Sequence, residues 1–199
     1  MTPGFLALGD SYTIGEQVSA TDRWPVQLAL LLRTRKVAVA DPEIVARTGW
    51  TTAELATGIA AAAPNGPYGL VSLLIGVNDQ YRGGDAERYR PALRSLLVQA
   101  VEFAGGRPGR VVVLSIPDWG VTPFASGRDG AEIGAAIDRF NAVGRDESGR
   151  AGAQFVDITT ASRESHVGWL AADGLHPSGR QYARWAELTL AAATDALRN

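Results

Sequence analysis

Short apolar runs that end abruptly at glycine or at a small polar residue constrain the fold of this chain more than any other feature. Residues 5–8, 70–75 and 111–116 are nearly continuous runs of this kind, as expected of parallel strands that are buried on both faces. Helical patterns and short connections separate the runs. This alternation favours a parallel sheet with helices on both faces. The sequence therefore predicts an α/β fold, a three-layer α/β/α sandwich.

Two further strands complete the predicted sheet. Residues 36–40 and 43–46 both qualify as the second strand, with Asp41-Pro42 between them as a breaker. We favour residues 43–46, and we expect residues 154–156 to form the last strand. The result is a flavodoxin-like parallel sheet of about five strands.

Length and charge bound the class of protein. With 199 residues, the chain is most simply one domain over residues 1–199, large enough to bury roughly 70% of its unfolded surface. Its 19 basic and 21 acidic residues give a net charge of -2, and no basic run occurs. We therefore expect neither nucleic acid nor a membrane surface as a partner.

The cysteine count and the apolar runs bear on the compartment. The chain has no cysteine, which excludes disulfides, thiolate metal sites and a cysteine nucleophile, and which fits a reducing compartment. No apolar run approaches the ~20 residues of a membrane span, and the first residues lack the pattern of a signal peptide. We therefore expect a cytoplasmic protein.

A serine stands where the first apolar run ends, in the segment Gly9-Asp10-Ser11. Open α/β sheets bind ligands at the carboxyl ends of their parallel strands, so a serine at this position is a candidate nucleophile. Glycine, aspartate and serine are also ordinary turn residues, and this segment alone favours neither interpretation.

A carboxylate and an imidazole stand three positions apart near the other end of the chain, at Asp173 and His176. These are the two partners that a weak hydroxyl nucleophile needs. Pro177 biases the backbone of His176 towards extended angles. The other imidazole, His166, has only Glu164 as a nearby carboxylate. We interpret it as a surface or rim residue rather than as a base.

Four segments, taken in order, resemble the sequence blocks of the SGNH, or GDSL-type, hydrolase family. They are Gly9-Asp10-Ser11, Gly49, Gly76-Val77-Asn78-Asp79 and residues 173–177. The match covers nearly the whole chain. The sequence departs from the family pattern at Tyr12, where the eponymous motif has leucine. Asp79 is interpreted as an ordinary turn residue.

The resemblance implies a catalytic site. Ser11 would be the nucleophile, His176 the general base and acid, and Asp173 the carboxylate that fixes the imidazole tautomer. It also implies an oxyanion hole made of the backbone N–H groups of Ser11 and Gly49 and the side-chain amide of Asn78. A tetrahedral intermediate needs such donors already aimed at its developing negative charge.

The segment of residues 117–124 is rich in aromatic and rigid residues and indicates a pocket wall rather than a minimal turn. The aromatic residues that we expect to contact substrate are Trp50, Tyr81, Trp119 and Phe124. Outside residues 117–130 the connections are short, and no insertion is long enough to form a lid. We therefore expect an open cleft that accepts small acyl groups.

These observations predict a serine esterase that hydrolyses small acyl esters, or thioesters, through a covalent acyl-enzyme. The resemblance implies that it uses no metal or cofactor and that its partner is a small-molecule substrate. A carbohydrate O-deacetylase or an acyltransferase of the same family is the alternative, because fold and triad do not choose among acyl substrates. A non-enzymatic, flavodoxin-like binding module is disfavoured because no Gly-x-Gly-x-x-Gly or Walker loop follows a strand. The oligomeric state stays open.

Overall fold

A parallel sheet forms the centre of the computed structural model, which describes residues 2–164 and 166–198. The five strands found in this part of the chain lie in the order β2-β1-β3-β4-β5 and all run parallel. They are β1 Phe5–Gly9, β2 Pro42–Ala46, β3 Leu70–Leu74, β4 Val111–Leu114 and β5 Gln154–Val156. This strand order is the flavodoxin-like one. The predicted sheet and the favoured second strand are confirmed.

Helices cover both faces of the sheet and complete the predicted sandwich. They are α1 Ser11–Ile14, α2 Trp24–Thr34, α3 Thr52–Ala62, α4 Val77–Tyr81, α5 Ala86–Phe103, α6 Gly130–Ala151, α7 Thr159–Ser162 and α8 Gly179–Arg198. Helix α2 packs on α8, while α5 packs on both α3 and α6. None of the helices in the described ranges is both long and apolar enough to cross a membrane.

The short helices α1 and α4 follow β1 and β3 closely, where the sequence indicated only turns. The residues that end the two strand patterns serve as their N-caps, Asp10 for α1 and Gly76 for α4. Gly76 has φ of 121°, and a Cβ there would lie 2.9 Å from the ring of Tyr89. Only glycine fits such a backbone angle in so little space. Each strand end therefore presents a helix N-terminus to the same edge of the sheet.

Hydrogen bonds at the helix starts fix the loops that precede them. Helix α3 begins with a capping box: Thr51 N–H donates to Glu54 at 2.8 Å, and Glu54 N–H donates to Thr51 Oγ1 at 3.4 Å. At α8, Gln181 N–H donates to Ser178 Oγ at 3.4 Å, but Ser178 N–H donates to the carbonyl of Trp169 instead. The turn before α8 is therefore tied to the segment around Trp169.

A buried charge cluster joins α5 to α6 on one face of the sheet. Glu147 of α6 accepts hydrogen bonds from Arg94 at 2.7 Å and from Arg90 at 2.9 Å. The hydrogen bonds from the two guanidinium groups, led by that of Arg94, lower the pKa of Glu147 to about 2, against the opposing effect of burial. Because Glu147 is only 1% exposed, removal of either arginine would leave a less compensated buried charge.

Candidate active site

Ser11 is placed by the tight junction between β1 and α1. Gly9 ends the strand, and a Cβ at that position would collide with the Thr13 side chain and the Leu74 carbonyl. Because this glycine lets α1 fold back closely on the strand, Ser11 becomes the first residue of α1 at the carboxyl edge of the sheet. Its side chain is 5% exposed, so it is accessible from one side only.

Asp10 stabilises this junction from beneath. Its Oδ1 accepts a hydrogen bond from Tyr12 N–H at 3.0 Å, while Oδ2 is buried without a partner among the described residues. Burial raises the pKa of Asp10 to about 8. Burial therefore favours the protonated, neutral form of this carboxyl next to Ser11.

The turn before α8 holds the imidazole of His176 against a carboxylate. His176 Nδ1 lies 2.6 Å from Asp173 Oδ2, and Asp173 Oδ1 accepts the backbone N–H groups of Leu175 and His176, both at 3.0 Å. Burial opposes ionisation of this carboxyl, but these hydrogen bonds outweigh it, so the pKa of Asp173 lies below its usual value. An ionised Asp173 accepts from Nδ1–H, which leaves Nε2 as the basic nitrogen of the ring.

Tyr12 connects the serine junction to the imidazole turn. Its ring centroid lies 5.6 Å from that of His176 and 5.9 Å from that of Trp185, with both pairs tilted. The backbone of His176 is also fixed, because its carbonyl accepts Ala171 N–H at 2.8 Å. The departure from the family motif at position 12 therefore supplies a packing surface for the imidazole.

Three groups at the carboxyl edge of the sheet each have an N–H without an acceptor among the described residues. Within residues 2–164 and 166–198, the backbone N–H groups of Ser11 and Gly49 take part in no hydrogen bond. Asn78 Nδ2 donates to the carbonyl of Trp50 at 2.9 Å, so the amide has a second hydrogen to offer. Gly49 has φ of 84°, which a residue with a Cβ rarely adopts.

The loop that carries Gly49 is held by α4 and the residue after it. Arg82 donates to the Gly49 carbonyl at 2.7 Å and forms an ion pair with Glu54 at 3.3 Å. Asp79 accepts Thr52 N–H at 3.0 Å and Thr52 Oγ1–H at 2.7 Å. Asp79 therefore caps the start of α3, and its interpretation as an ordinary turn residue is wrong. These contacts hold the loop on both sides of Trp50, at the Gly49 carbonyl and at the start of α3.

These groups meet in one small cavity at the carboxyl edge of the sheet. Its volume is about 160 Å³, and it is lined by Ser11, Tyr12, Thr48, Gly49, Val77, Asn78, Tyr81, Trp119, Phe124, Leu175 and His176. No hydrogen bond joins the Ser11 hydroxyl to the imidazole in the described structure. Such contacts are often long in unliganded sites and shorten when substrate binds.

Three of the four aromatic residues expected near the substrate line this cavity. The rings of Tyr81, Trp119 and Phe124 have centroids 5.3 to 6.1 Å apart, and Trp119 Nε1–H donates to Gln80 at 2.8 Å. The ring of Trp50 lies elsewhere: it packs so closely on α3 that a Cβ at Gly58 would overlap it. Trp50 contributes to the site through its backbone carbonyl, as the acceptor for Asn78.

His166 lies outside the cavity, as expected of a surface or rim residue. It is exposed, its Nε2 lies 3.1 Å from Glu164, and its ring lies 4.3 Å from that of Trp169. It borders a separate cleft on the outer side of residues 121–123.

Sequence reasoning missed the supporting contacts of the site because it did not recognise α4 as a helix. Asn78, Tyr81 and Arg82 are three and four residues apart, a spacing that places them on one face of a helix. Recognition of that single turn would have grouped these residues. No local pattern, in contrast, indicated that Thr48 and Leu175 also line the cavity.

The fold and the cavity define a hydrolase of the serine class. The chain matches the GDSL-like Lipase/Acylhydrolase family over residues 7–184, and it belongs to that family. The resemblance given by its four sequence segments is therefore confirmed.

Solved structures show the same fold at low identity. The chain is similar to TesA, with 20% identity, a TM-score of 0.75, and coverage of 98% of this chain and 99% of that one. It is also similar to the esterase EstA from Pseudoalteromonas sp., with 14% identity, a TM-score of 0.75, and coverage of 99% and 100%. A variant of Axe2, an acetyl xylan esterase from Geobacillus stearothermophilus, shares 19% identity with a TM-score of 0.70, covering 96% and 94%. No curated protein matches the sequence.

Proposed function

We propose that this protein is an esterase that hydrolyses small acyl esters through a covalent acyl-enzyme on Ser11. One observation carries the proposal: Ser11, His176 and three free N–H donors border a single cavity, with the imidazole bound to Asp173 on its far side. A serine hydroxyl is a weak nucleophile at neutral pH and needs an adjacent imidazole to accept its proton.

The first half of the reaction transfers the acyl group to the protein. His176 Nε2 takes the proton of Ser11 as Oγ bonds to the acyl carbon, and the carbonyl electron pair moves onto oxygen. The ionised Asp173 stabilises the imidazolium that forms. The tetrahedral intermediate then breaks its bond to the alcohol oxygen, which receives the proton from His176.

The second half restores the serine. Water gives a proton to His176 and attacks the acyl carbon, and the bond to Ser11 Oγ breaks as Oγ regains the proton. The carboxylic acid is released. In both halves the oxyanion is stabilised by the N–H groups of Ser11, Gly49 and Asn78, which are already oriented before substrate arrives.

The size of the cavity supports a short acyl group. Cavities that enclose a drug-sized ligand measure roughly 300–1,000 Å³, whereas this one measures about 160 Å³. An apolar cavity of ~150 Å³ can hold benzene, which has six carbons. We expect acetate to hexanoate esters to have higher kcat/KM than dodecanoate esters, measured with 4-nitrophenyl esters of graded length. A kcat/KM that climbs through twelve carbons would contradict a short acyl site.

A fluorophosphonate probe tests the mechanism directly, because it reacts with an activated serine hydroxyl rather than with any exposed one. The folded protein should take up one label, located on Ser11 by peptide mass analysis. Ser11→Ala should lose both label and turnover and keep its circular dichroism spectrum. Ser95→Ala, which removes an exposed serine on α5, is the matched control and should label normally. A label on another serine, or none on the folded protein, would refute the proposal.

An O-deacetylase acting on acetylated sugars is the second candidate. The similarity to Axe2 favours it, as does the row of aromatic rings at the cavity, because aromatic faces stack on sugar rings. Release of acetate from acetylated xylo-oligosaccharides, compared with release from ethyl acetate, tests it. If kcat/KM for the acetylated xylo-oligosaccharides is no higher than that for ethyl acetate, the O-deacetylase candidate fails and the proposal of a simple esterase stands.

A further inference from the structure

Arg128 places a positive charge over the aromatic wall of the cavity. Its guanidinium carbon lies 5.1 Å from the ring centroid of Tyr81, 5.2 Å from that of Trp119 and 5.6 Å from that of Phe124. All three rings line the cavity. One guanidinium nitrogen also donates to the Tyr81 hydroxyl at 3.3 Å. Cation–π contact with these three rings therefore holds the guanidinium against the cavity wall.

Within the part of the chain that the structure describes, this charge has no ion-pair partner. Other arginines near the site are paired, Arg82 with Glu54 and Arg163 with both Asp118 and Asp138. In the described ranges no acidic side chain forms an ion pair with Arg128.

The acidic neighbour in the chain, Asp129, is committed elsewhere. It caps α6 by accepting the N–H groups of Ala131 and Glu132 at 3.0 and 3.1 Å. Most of the five guanidinium N–H donors of Arg128 therefore remain available to a ligand.

We propose that Arg128 is a specificity-determining residue that selects esters carrying a second, anionic group, a carboxylate or a phosphate, beyond the ester bond. This inference rests on the proposed esterase function and names its substrate class. A planar guanidinium can bind either anion through two parallel hydrogen bonds. Contact with three rings restricts the arginine side chain before substrate binds, which lowers the entropy lost on binding.

Two matched pairs of esters test the inference, one for each side of the ester bond. In the first pair the charge is on the alcohol part: 4-acetoxybenzoate and its neutral methyl ester. In the second it is on the acyl part: monomethyl glutarate and dimethyl glutarate. A third anion, 4-acetoxyphenyl phosphate, separates phosphate from carboxylate selection. The quantity compared is the ratio of kcat/KM for the anionic ester to kcat/KM for its neutral partner.

Arg128→Gln should lower this ratio about fivefold to tenfold for at least one pair, since a charge-assisted bidentate contact at a partly exposed site is lost. Arg128→Lys should recover part of it, because lysine keeps the charge and loses the planar fork. Added salt should lower the ratio in the unmodified protein. A ratio unchanged by Arg128→Gln in every pair would overturn the inference.

Arg145→Gln is the matched control. Arg145 also lies over an aromatic ring, that of Phe155 at 4.7 Å, and its removal changes the net charge equally, but this ring is not one of those that line the cavity. The ratios should stay as in the unmodified protein. An equal fall in this variant would assign the effect to net charge and refute a local role of Arg128.

A binding measurement separates failure of this inference from failure of the proposed function. In the Ser11→Ala background, which cannot form the acyl-enzyme, calorimetry gives the affinity for each intact ester with and without Arg128→Gln. If no ester is hydrolysed, the esterase proposal fails, while loss of anion affinity in Arg128→Gln still supports the anion site. The proposed anion site would be refuted if none of the anions bound detectably. It would also be refuted if Arg128→Gln left their affinities unchanged.

Discussion

Two imidazole–carboxylate pairs occur in this molecule, and only one of them belongs to the cavity. His176 and Asp173 are 2.6 Å apart with side chains 10% and 27% exposed, whereas His166 and Glu164 are 3.1 Å apart with side chains 51% and 47% exposed. The two pairs have similar spacing in sequence, three residues and two. Spacing alone therefore does not distinguish a candidate catalytic pair from a surface contact.

The difference lies in what orients the carboxylate. Asp173 accepts two backbone N–H groups of its own turn, so its position is set before it contacts the imidazole. The carboxylate of Glu164 forms one hydrogen bond, to His166, among the described residues. An exposed pair of this kind contributes little because water and salt screen it and because two mobile side chains must be ordered.

The largest expected effect comes from removing each imidazole in turn. His176→Gln should lower kcat/KM on a neutral acetate ester by roughly 10⁵-fold or more, as loss of the general base does in serine proteases. His166→Gln should leave it within about twofold. Initial rates on both variants, corrected for the folded fraction, check this. A large loss in His166→Gln with little loss in His176→Gln would reverse the assignment.

Removing the charge of each carboxylate should have the next largest effect. Asp173→Asn keeps an oxygen for the two backbone donors but favours the wrong imidazole tautomer, so kcat should fall by about 10⁴-fold. Glu164→Gln is the matched control and should retain full turnover. Equal, small effects in the two variants would show that the shorter contact of Asp173 has no catalytic consequence.

Asn78→Ala tests whether the N–H donors that lie beside the His176–Asp173 pair contribute to turnover. Only the His176 pair shares a cavity with them. Loss of one oxyanion donor should lower kcat by about 10²- to 10³-fold with a smaller change in KM. Asn65→Ala, which removes an exposed amide that does not line the cavity, serves as the control. A kcat within about threefold of the parent would remove Asn78 from the proposed site.

The smallest effect is on stability at low pH. The folded-state pKa of Asp173 lies below its ordinary value, because hydrogen bonds to the carboxylate outweigh the effect of burial, so the ionised carboxylate favours the folded state at neutral pH. That contribution is full above the ordinary value and disappears as pH falls through the lowered one. It should amount to less than about 1 kcal/mol, because the carboxyl is partly exposed and screened.

Urea unfolding of the parent and of Asp173→Asn, from pH 7 down to pH 3, measures this contribution. The stability difference should be constant near neutral pH and should shrink towards pH 3. Glu164→Gln gives the baseline for losing an acid from the same part of the surface. A difference that grows on acidification would contradict the lowered pKa.

Local chemistry explains why so much of the fold could be predicted. The apolar runs at 70–75 and 111–116 became β3 and β4, each slightly shorter than its run. The Ser/Thr-x-x-Glu/Gln spacing at Thr51 and Glu54 forms a capping box because both of its hydrogen bonds lie within four consecutive residues. The same spacing at Ser178 and Gln181 forms only one of the two hydrogen bonds, because the N–H of Ser178 donates to the more distant carbonyl of Trp169.

By itself, the sequence determined the sheet, the position of Ser11 at a strand end, and the Asp173–His176 pair within a single turn. Each follows from hydrophobic periodicity or from turn residues a few positions apart. Only the tertiary structure decided which aromatic rings face the cavity and which charges stay unpaired. The ring of Trp50 packs on α3, and Arg128 lies over three rings and forms no ion pair with any acid in the described ranges. Those outcomes depend on contacts between residues far apart in the chain, where packing selects one side-chain direction among several that the local sequence permits equally.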